Sequence, residues 1–155
     1  MKPRTSLRTA AFFVLFFALG HSIGHFTRKD TNDPKASEVL RAMETYKFPI
    51  GMQFRSYDEF YTGMSLNMTL TLITLSILLW LLSSQTENAS KNTTQLLYPI
   101  LLCLLAFAIT SFLYFFLVPA ITSLAAILLI LYAIIRLKKE VHIPNQSTVK
   151  TALIR

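Results

Sequence analysis

NTTQLLYPILLCLLAFAITSFLYFFLVPAITSLAAILLILYAII, from Asn92 to Ile135, is 44 residues without an aspartate, glutamate, lysine or arginine. A helix of that length would rise ~66 Å, about twice a hydrocarbon core of ~30 Å. The stretch must therefore fold back on itself. Pro119 is the expected break, because proline donates no helical hydrogen bond and biases its predecessor away from helix. This gives two spans, at about 96–117 and 120–137, joined as a hairpin with almost no polar loop.

Two further uncharged stretches lie upstream, Thr9–Thr27 and Phe60–Thr86, each long enough for one crossing. They predict spans at about 7–26 and 60–83. The chain has only fifteen basic and eight acidic side chains, and all of them fall outside these three stretches. A soluble domain distributes charge along every surface element, so an ordinary soluble globule is excluded. The expected fold is all-α: a single four-helix transmembrane bundle. Lys2, Arg4 and Arg8 precede the first span as in a signal peptide, but the following Gly20–Phe26 offers no small-x-small cleavage pattern. An uncleaved first helix is expected.

Four crossings place both termini on one side. That side carries Lys2, Arg4, Arg8, Lys91, Arg136, Lys138, Lys139, Lys150 and Arg155, against six basic residues in the loop 27–59. The excess assigns the termini and the tail 138–155 to the cytoplasm. Trp80, Tyr98 and Tyr132 fall near the same interface, where amphipathic rings concentrate. The basic balance thus reads as topology and attraction to membrane lipids, and no nucleic-acid partner is expected. Cys103 is the only cysteine and sits in the third span, where a lone thiol packs like a small hydrophobe.

The extracytoplasmic loop 27–59 balances six basic against six acidic residues. Asp33-Pro34 reads as an N-cap followed by proline in the first turn. Ala36, Val39, Leu40, Met43 and Tyr46 then recur at helical spacing, which predicts a short amphipathic helix over Pro34–Lys47, ending before Pro49 and Gly51. Its mixed charge gives little attraction to anionic lipid, so it is expected to close over the mouth of the bundle.

Polar residues inside the spans mark the candidate site. His21 and His25 lie four apart on one helical face, a spacing that suits two imidazoles on one metal. Gly20 and Gly24 beside them would let another helix approach closely. On the second span Glu59, Gly63, Asn67 and Thr71 recur every four residues, and Arg55 and Asp58 lie just ahead of or beside Glu59. Such a stripe must turn from lipid or be hydrogen-bonded. Thr110, Ser111, Tyr114, Thr122 and Ser123 add hydroxyls around Pro119, with helix–helix hydrogen bonding as their expected use. Arg55 is the expected counter-ion of one carboxylate, leaving the other, expected to be Glu59, to face His21 or His25.

The candidate ligand-binding set is therefore His21, His25, Arg55, Asp58, Glu59 and Asn67. No phosphate loop, dinucleotide fingerprint or nucleophile elbow occurs, and no catalytic residue is identified. The leading functional expectation is a non-catalytic membrane protein that binds a lipophilic small molecule or another membrane protein through a polar cavity in the outer half of the bundle. The alternative is a membrane enzyme or redox component holding a metal or haem through His21 and His25.

GHSIGH at Gly20–His25, Asp33-Pro34, and IGMQFRSYDEFYTG at Ile50–Gly63 carry a resemblance. Over about its first half the chain resembles a family of small bacterial four-helix integral membrane proteins of uncharacterised activity. In size and helix number it is loosely similar to the DoxX-like membrane proteins. The resemblance implies a bacterial cytoplasmic-membrane protein, and it brings no catalytic residues with it.

Overall fold

A computed structural model describes residues 1–88 and 91–142. The expected tail therefore lies outside the described residues from 143 on, with Lys150 and Arg155. The elements are α1 (Pro3–Thr27), α2 (Pro34–Thr45), β1 (Lys47–Ile50), β2 (Gln53–Ser56), α3 (Tyr57–Ser84), a short 3-10 turn (Gln85–Asn88), α4 (Lys91–Tyr114) and α5 (Leu117–His142). Four helices are long and apolar enough to cross a membrane: α1, α3, α4 and α5. The fold is all-α with four candidate spans, as the uncharged stretches require.

The chain divides into two compact units. One comprises Met1–Val14 with the described residues from Leu75 on, the other Leu15–Thr74. In the first unit, the start of α1, the end of α3, and α4 and α5 form a helical bundle around Leu7, Val14, Leu79, Leu97, Leu104, Ile130 and Leu137, all fully or almost fully buried. Ala10, Ala11, Ala126 and Ala133 fill the narrow places between them. Serines tie the helices together. The Ser6 hydroxyl donates to the Leu129 carbonyl at 2.8 Å, and Ser76 donates to Ala11 at 2.9 Å. The opposite faces expose Phe12, Ile77, Leu102, Ile109, Phe112, Leu128 and Ile135. Water would not tolerate so continuous an apolar exterior; a bilayer does.

At one end of this unit, basic side chains lie over rings. The Arg8 guanidinium sits 4.7 Å from the Trp80 ring centre and donates to the Ser83 hydroxyl at 3.3 Å, and the Lys138 ammonium sits 5.7 Å from Tyr98. The Tyr132 hydroxyl donates to the Met1 carbonyl at 3.0 Å.

Pro119 does not make the break. α4 ends at Tyr114 and α5 starts at Leu117, which leaves Phe115 and Phe116 as the connection and puts Pro119 third in its helix. The first-turn N–H groups have no intrahelical acceptor, so proline there forfeits no bond. Thr110 and Thr122 donate to carbonyls of their own helices, Ala106 and Val118, instead of bridging helices. The buried Ser111 and Ser123 hydroxyls have no hydrogen-bond partner among the described residues.

In the second unit, Asp33 caps α2 by accepting from the Lys35 N–H at 2.9 Å, with Pro34 in the first turn. The helix stops at Thr45, two residues short of its expected end, and buries none of its residues. Beyond it the chain forms a β-hairpin that no periodicity predicts. Strands β1 and β2 pair antiparallel, Ile50 with Gln53 and Lys47 with Ser56, around Gly51-Met52. Gly51 has φ +57°, the left-handed value a primed hairpin turn requires at its first central residue. Pro49 stands opposite Phe54, one step out from the turn-closing pair, where an antiparallel ladder points the N–H outward and a proline is harmless.

Candidate functional site

The hairpin delivers the chain into α3 without a linker. Ser56 ends β2 and caps α3, and Ser56-Tyr57-Asp58-Glu59 forms a capping box. The Ser56 N–H donates to Glu59 Oε2 at 2.8 Å, and the Glu59 N–H donates to Ser56 Oγ at 3.2 Å. Phe48 packs on Tyr57 with ring centres 4.5 Å apart, pinning the hairpin against the first turn of α3. Arg55 Nη2 donates to Gln53 Oε1 at 2.5 Å, and its Nη1 lies 3.8 Å from Glu59 Oε1.

Glu59 is thus occupied by its own helix start. It does not face His21 or His25 as expected, and Asp58 meets neither histidine but Arg28 and Lys29, just beyond the end of α1. Two adjacent residues on a helix point about 100° apart, and the capping box turns Glu59 to the outside. Asp58 Oδ1 accepts from Arg28 Nη2 at 2.5 Å, and Oδ2 accepts from Lys29 Nζ at 3.0 Å. Arg28 Nη2 also donates to Thr62 Oγ1 at 3.0 Å, and the guanidinium lies 4.9 Å from the Tyr61 ring centre. Arg28 Nη1 lies 2.9 Å from His25 Nδ1 and 3.5 Å from Nε2. Both Arg28 and Asp58 side chains are only 15% exposed.

Lys29 bridges Asp58 and Glu44, and Glu44 belongs to α2. The Glu44 hydrogen bond first, then that of Asp58, holds the Lys29 ammonium above its ordinary pKa. A raised pKa on a cation contributes below the ordinary value and is lost as pH rises through the raised one. This tie between α2 and α3 therefore persists through neutral pH and weakens only in strongly alkaline solution. One turn further along α1, His21 Nε2 lies 2.9 Å from the Ser65 hydroxyl and 3.2 Å from its carbonyl oxygen.

The sequence-derived set therefore separates onto two faces of α3. On one face Asp58 and Thr62 meet Arg28, and Ser65 meets His21. Glu59, Gly63 and Asn67 form the other face, where with Arg55 of β2 and with Ile50, Gln53, Phe60 and Met64 they line an open groove of about 640 Å³ bordered by Asp58 and Thr62. Arg28, Lys29, Thr62 and Ser65 were not anticipated. The signal for Arg28 was its place three residues beyond His25, on the same helical face. For Thr62 and Ser65 it was their spacing of four and seven from Asp58.

The histidines do not converge on one point. His21 turns to Ser65, and His25 to the Arg28 guanidinium. Among the described residues no group of three or more His, Cys, Asp or Glu side chains could hold a metal. The residues present do not fit a metal ion held by His21 and His25, as the alternative reading would have it. A Cβ placed at Gly20 or Gly24 would meet nothing within 4 Å, so no described part of this chain uses the close approach those glycines allow. Gly63 is equally open.

Asn67 has a different standing. Its side chain is exposed and has no hydrogen-bond partner among the described residues. It lies ten residues beyond Tyr57, ~15 Å along the helix, in a span whose apolar core is ~30 Å thick. No family model, no curated protein and no solved structure matches this chain.

Proposed function

We propose that the chain is a non-catalytic, multi-pass protein of a bacterial cytoplasmic membrane. It acts by holding a lipophilic ligand or another membrane protein along the groove on α3. Asn67 carries this reading. A carboxamide left bare in hydrocarbon costs several kcal/mol, whereas in water it is solvated. Inside a span of this length the face around it is most stable when covered. The groove's volume falls within the ~300–1,000 Å³ of small-molecule sites, and its mixture of Phe60, Met64 and Ile50 with Arg55 and Asn67 suits an amphiphilic occupant.

The experiment is in-membrane photo-crosslinking. A photoreactive residue replacing Met64 is expected to capture a discrete species, while one replacing the outward-facing Leu128 captures only diffuse lipid. Equal, diffuse adducts at both positions would overturn the reading.

Orientation belongs to the same proposal. The cluster of Arg8, Lys138 and their rings supports a cytoplasmic location for both termini. A reporter fused within Asp30–Lys35 is expected to be active only outside the cytoplasm, and cytoplasmic activity there would reverse the topology.

A further inference from the structure

We infer that the occupant of the α3 face is a second copy of this chain, docked in parallel about a two-fold axis that runs beside Gly63 and Asn67. The inference rests on the reading that this face is covered. Copies inserted in one membrane share one orientation, so their α3 helices run in the same direction. A two-fold axis along the membrane normal then sets each residue of the stripe opposite itself. Very few side chains tolerate that arrangement inside an apolar span.

Asparagine does. Its carboxamide offers two N–H donors and a carbonyl acceptor, so two facing copies satisfy each other reciprocally. Neither a lipid tail nor an apolar helix could do the same. One turn away, Gly63 presents no side chain, and a Cβ added there would meet nothing within 4 Å. Two helices can therefore approach near Asn67 closely enough for such short side chains to meet. Phe60, Met64, Leu66 and Leu70, all exposed, flank the stripe on both sides and would seal the amide pair from lipid.

The charges at the outer end of the stripe agree with this geometry. Arg55, in β2, and Glu59, in the first turn of α3, lie there exposed, with 3.8 Å between the nearest charged atoms. A stripe of one sign would repel its own image, but this one carries both signs and no net charge.

The test uses the full chain in its membrane, with Cys103→Ser removing the native thiol. Gly63→Cys in that background is expected to form an oxidant-induced disulfide species at twice the 17.6 kDa chain mass. Leu128→Cys is expected to form none. Adding Asn67→Leu should weaken association roughly 3- to 30-fold, the range spanned by interhelical polar pairs in membranes. Asn67→Gln, which keeps a self-complementary amide, should restore most of it.

Equal cross-linking at positions 63 and 128 would reveal random collision and overturn the dimer. So would cross-linking unaffected by Asn67→Leu. If position 63 gives no linked pair while the photoreactive residue at 64 still captures a discrete species, the dimer fails and the covered-face reading stands. If both experiments fail, both readings fall.

Discussion

Replacing Arg28 with methionine is expected to lower the stability of the second unit by about 2–4 kcal/mol, because it strips the partner from an ion pair largely removed from water. The side chain of methionine keeps most of the arginine stem's packing, so the loss reports the guanidinium. That group makes four engagements: Asp58, Thr62, His25 and the face of Tyr61. Without it, Asp58 keeps only Lys29, whose ammonium is more exposed and shared with Glu44. Asp58→Asn should be destabilising in its own right, leaving Arg28 and Lys29 facing each other without an intervening charge. The double variant should cost much less than the sum, since each change removes what the other left unpaired. Glu59→Gln should be mild by comparison, because the amide oxygen can still accept from the Ser56 N–H. Unfolding in mixed detergent, with hydrogen exchange followed across 28–62, measures all four. An Arg28→Met change below about 0.5 kcal/mol, the ordinary scatter of surface substitutions, would show that the cluster does not hold α1 to α3.

The second large effect is expected in the other unit. Leu104 is 0% exposed, in the bundle formed by α4, α5 and parts of α1 and α3, and its neighbour two positions earlier, Leu102, is 71% exposed. Leu104→Ala is expected to cost about 1.5–3 kcal/mol, toward the low end of the ~2–5 kcal/mol seen in water-soluble cores. The reason for the discount lies in the reference state. Helices separated in a bilayer keep their leucines in apolar surroundings, so the variant loses packing and leaves a cavity but forfeits no transfer from water. Leu102→Ala should change stability by less than about 0.5 kcal/mol, since that side chain exchanges protein for lipid on neither side of the equilibrium. Equal effects at 102 and 104 would contradict the assignment of inner and outer faces.

The bundle's serines illustrate how far local reading reaches. Ser6 and Ser76 do bridge helices, as small polar residues in membranes are expected to. Thr110 and Thr122, equally plausible from their positions, bond to their own helices. Nothing in the local sequence separates these cases. The difference lies in whether a neighbouring carbonyl stands within reach, and that depends on how the helices rotate against one another.

The number of candidate spans and the existence of α2 were written in the chain itself. In hydrocarbon a backbone must satisfy its own hydrogen bonds within the segment, so uncharged length alone specifies a helix. Asp33-Pro34 marks the start of α2 for an equally local reason: one side chain caps and one residue needs no N–H partner. The capping box at Ser56–Glu59 was local too, and its S-x-x-E spacing would have withdrawn Glu59 from the histidines. By contrast, the β1–β2 hairpin rests on two four-residue strands, too short for a periodicity, and Pro49 reads as a helix stop until the register shows where its missing N–H would point. The turn between α4 and α5 fell at Phe115–Phe116 because a proline in a first helical turn forfeits no hydrogen bond, so Pro119 did not have to break the helix. Tertiary structure alone decided that Arg28 would stand between His25 and Asp58. Their positions are 25, 28 and 58, and only the antiparallel meeting of the end of α1 with the start of α3 brings a guanidinium, an imidazole and a carboxylate within hydrogen-bonding distance.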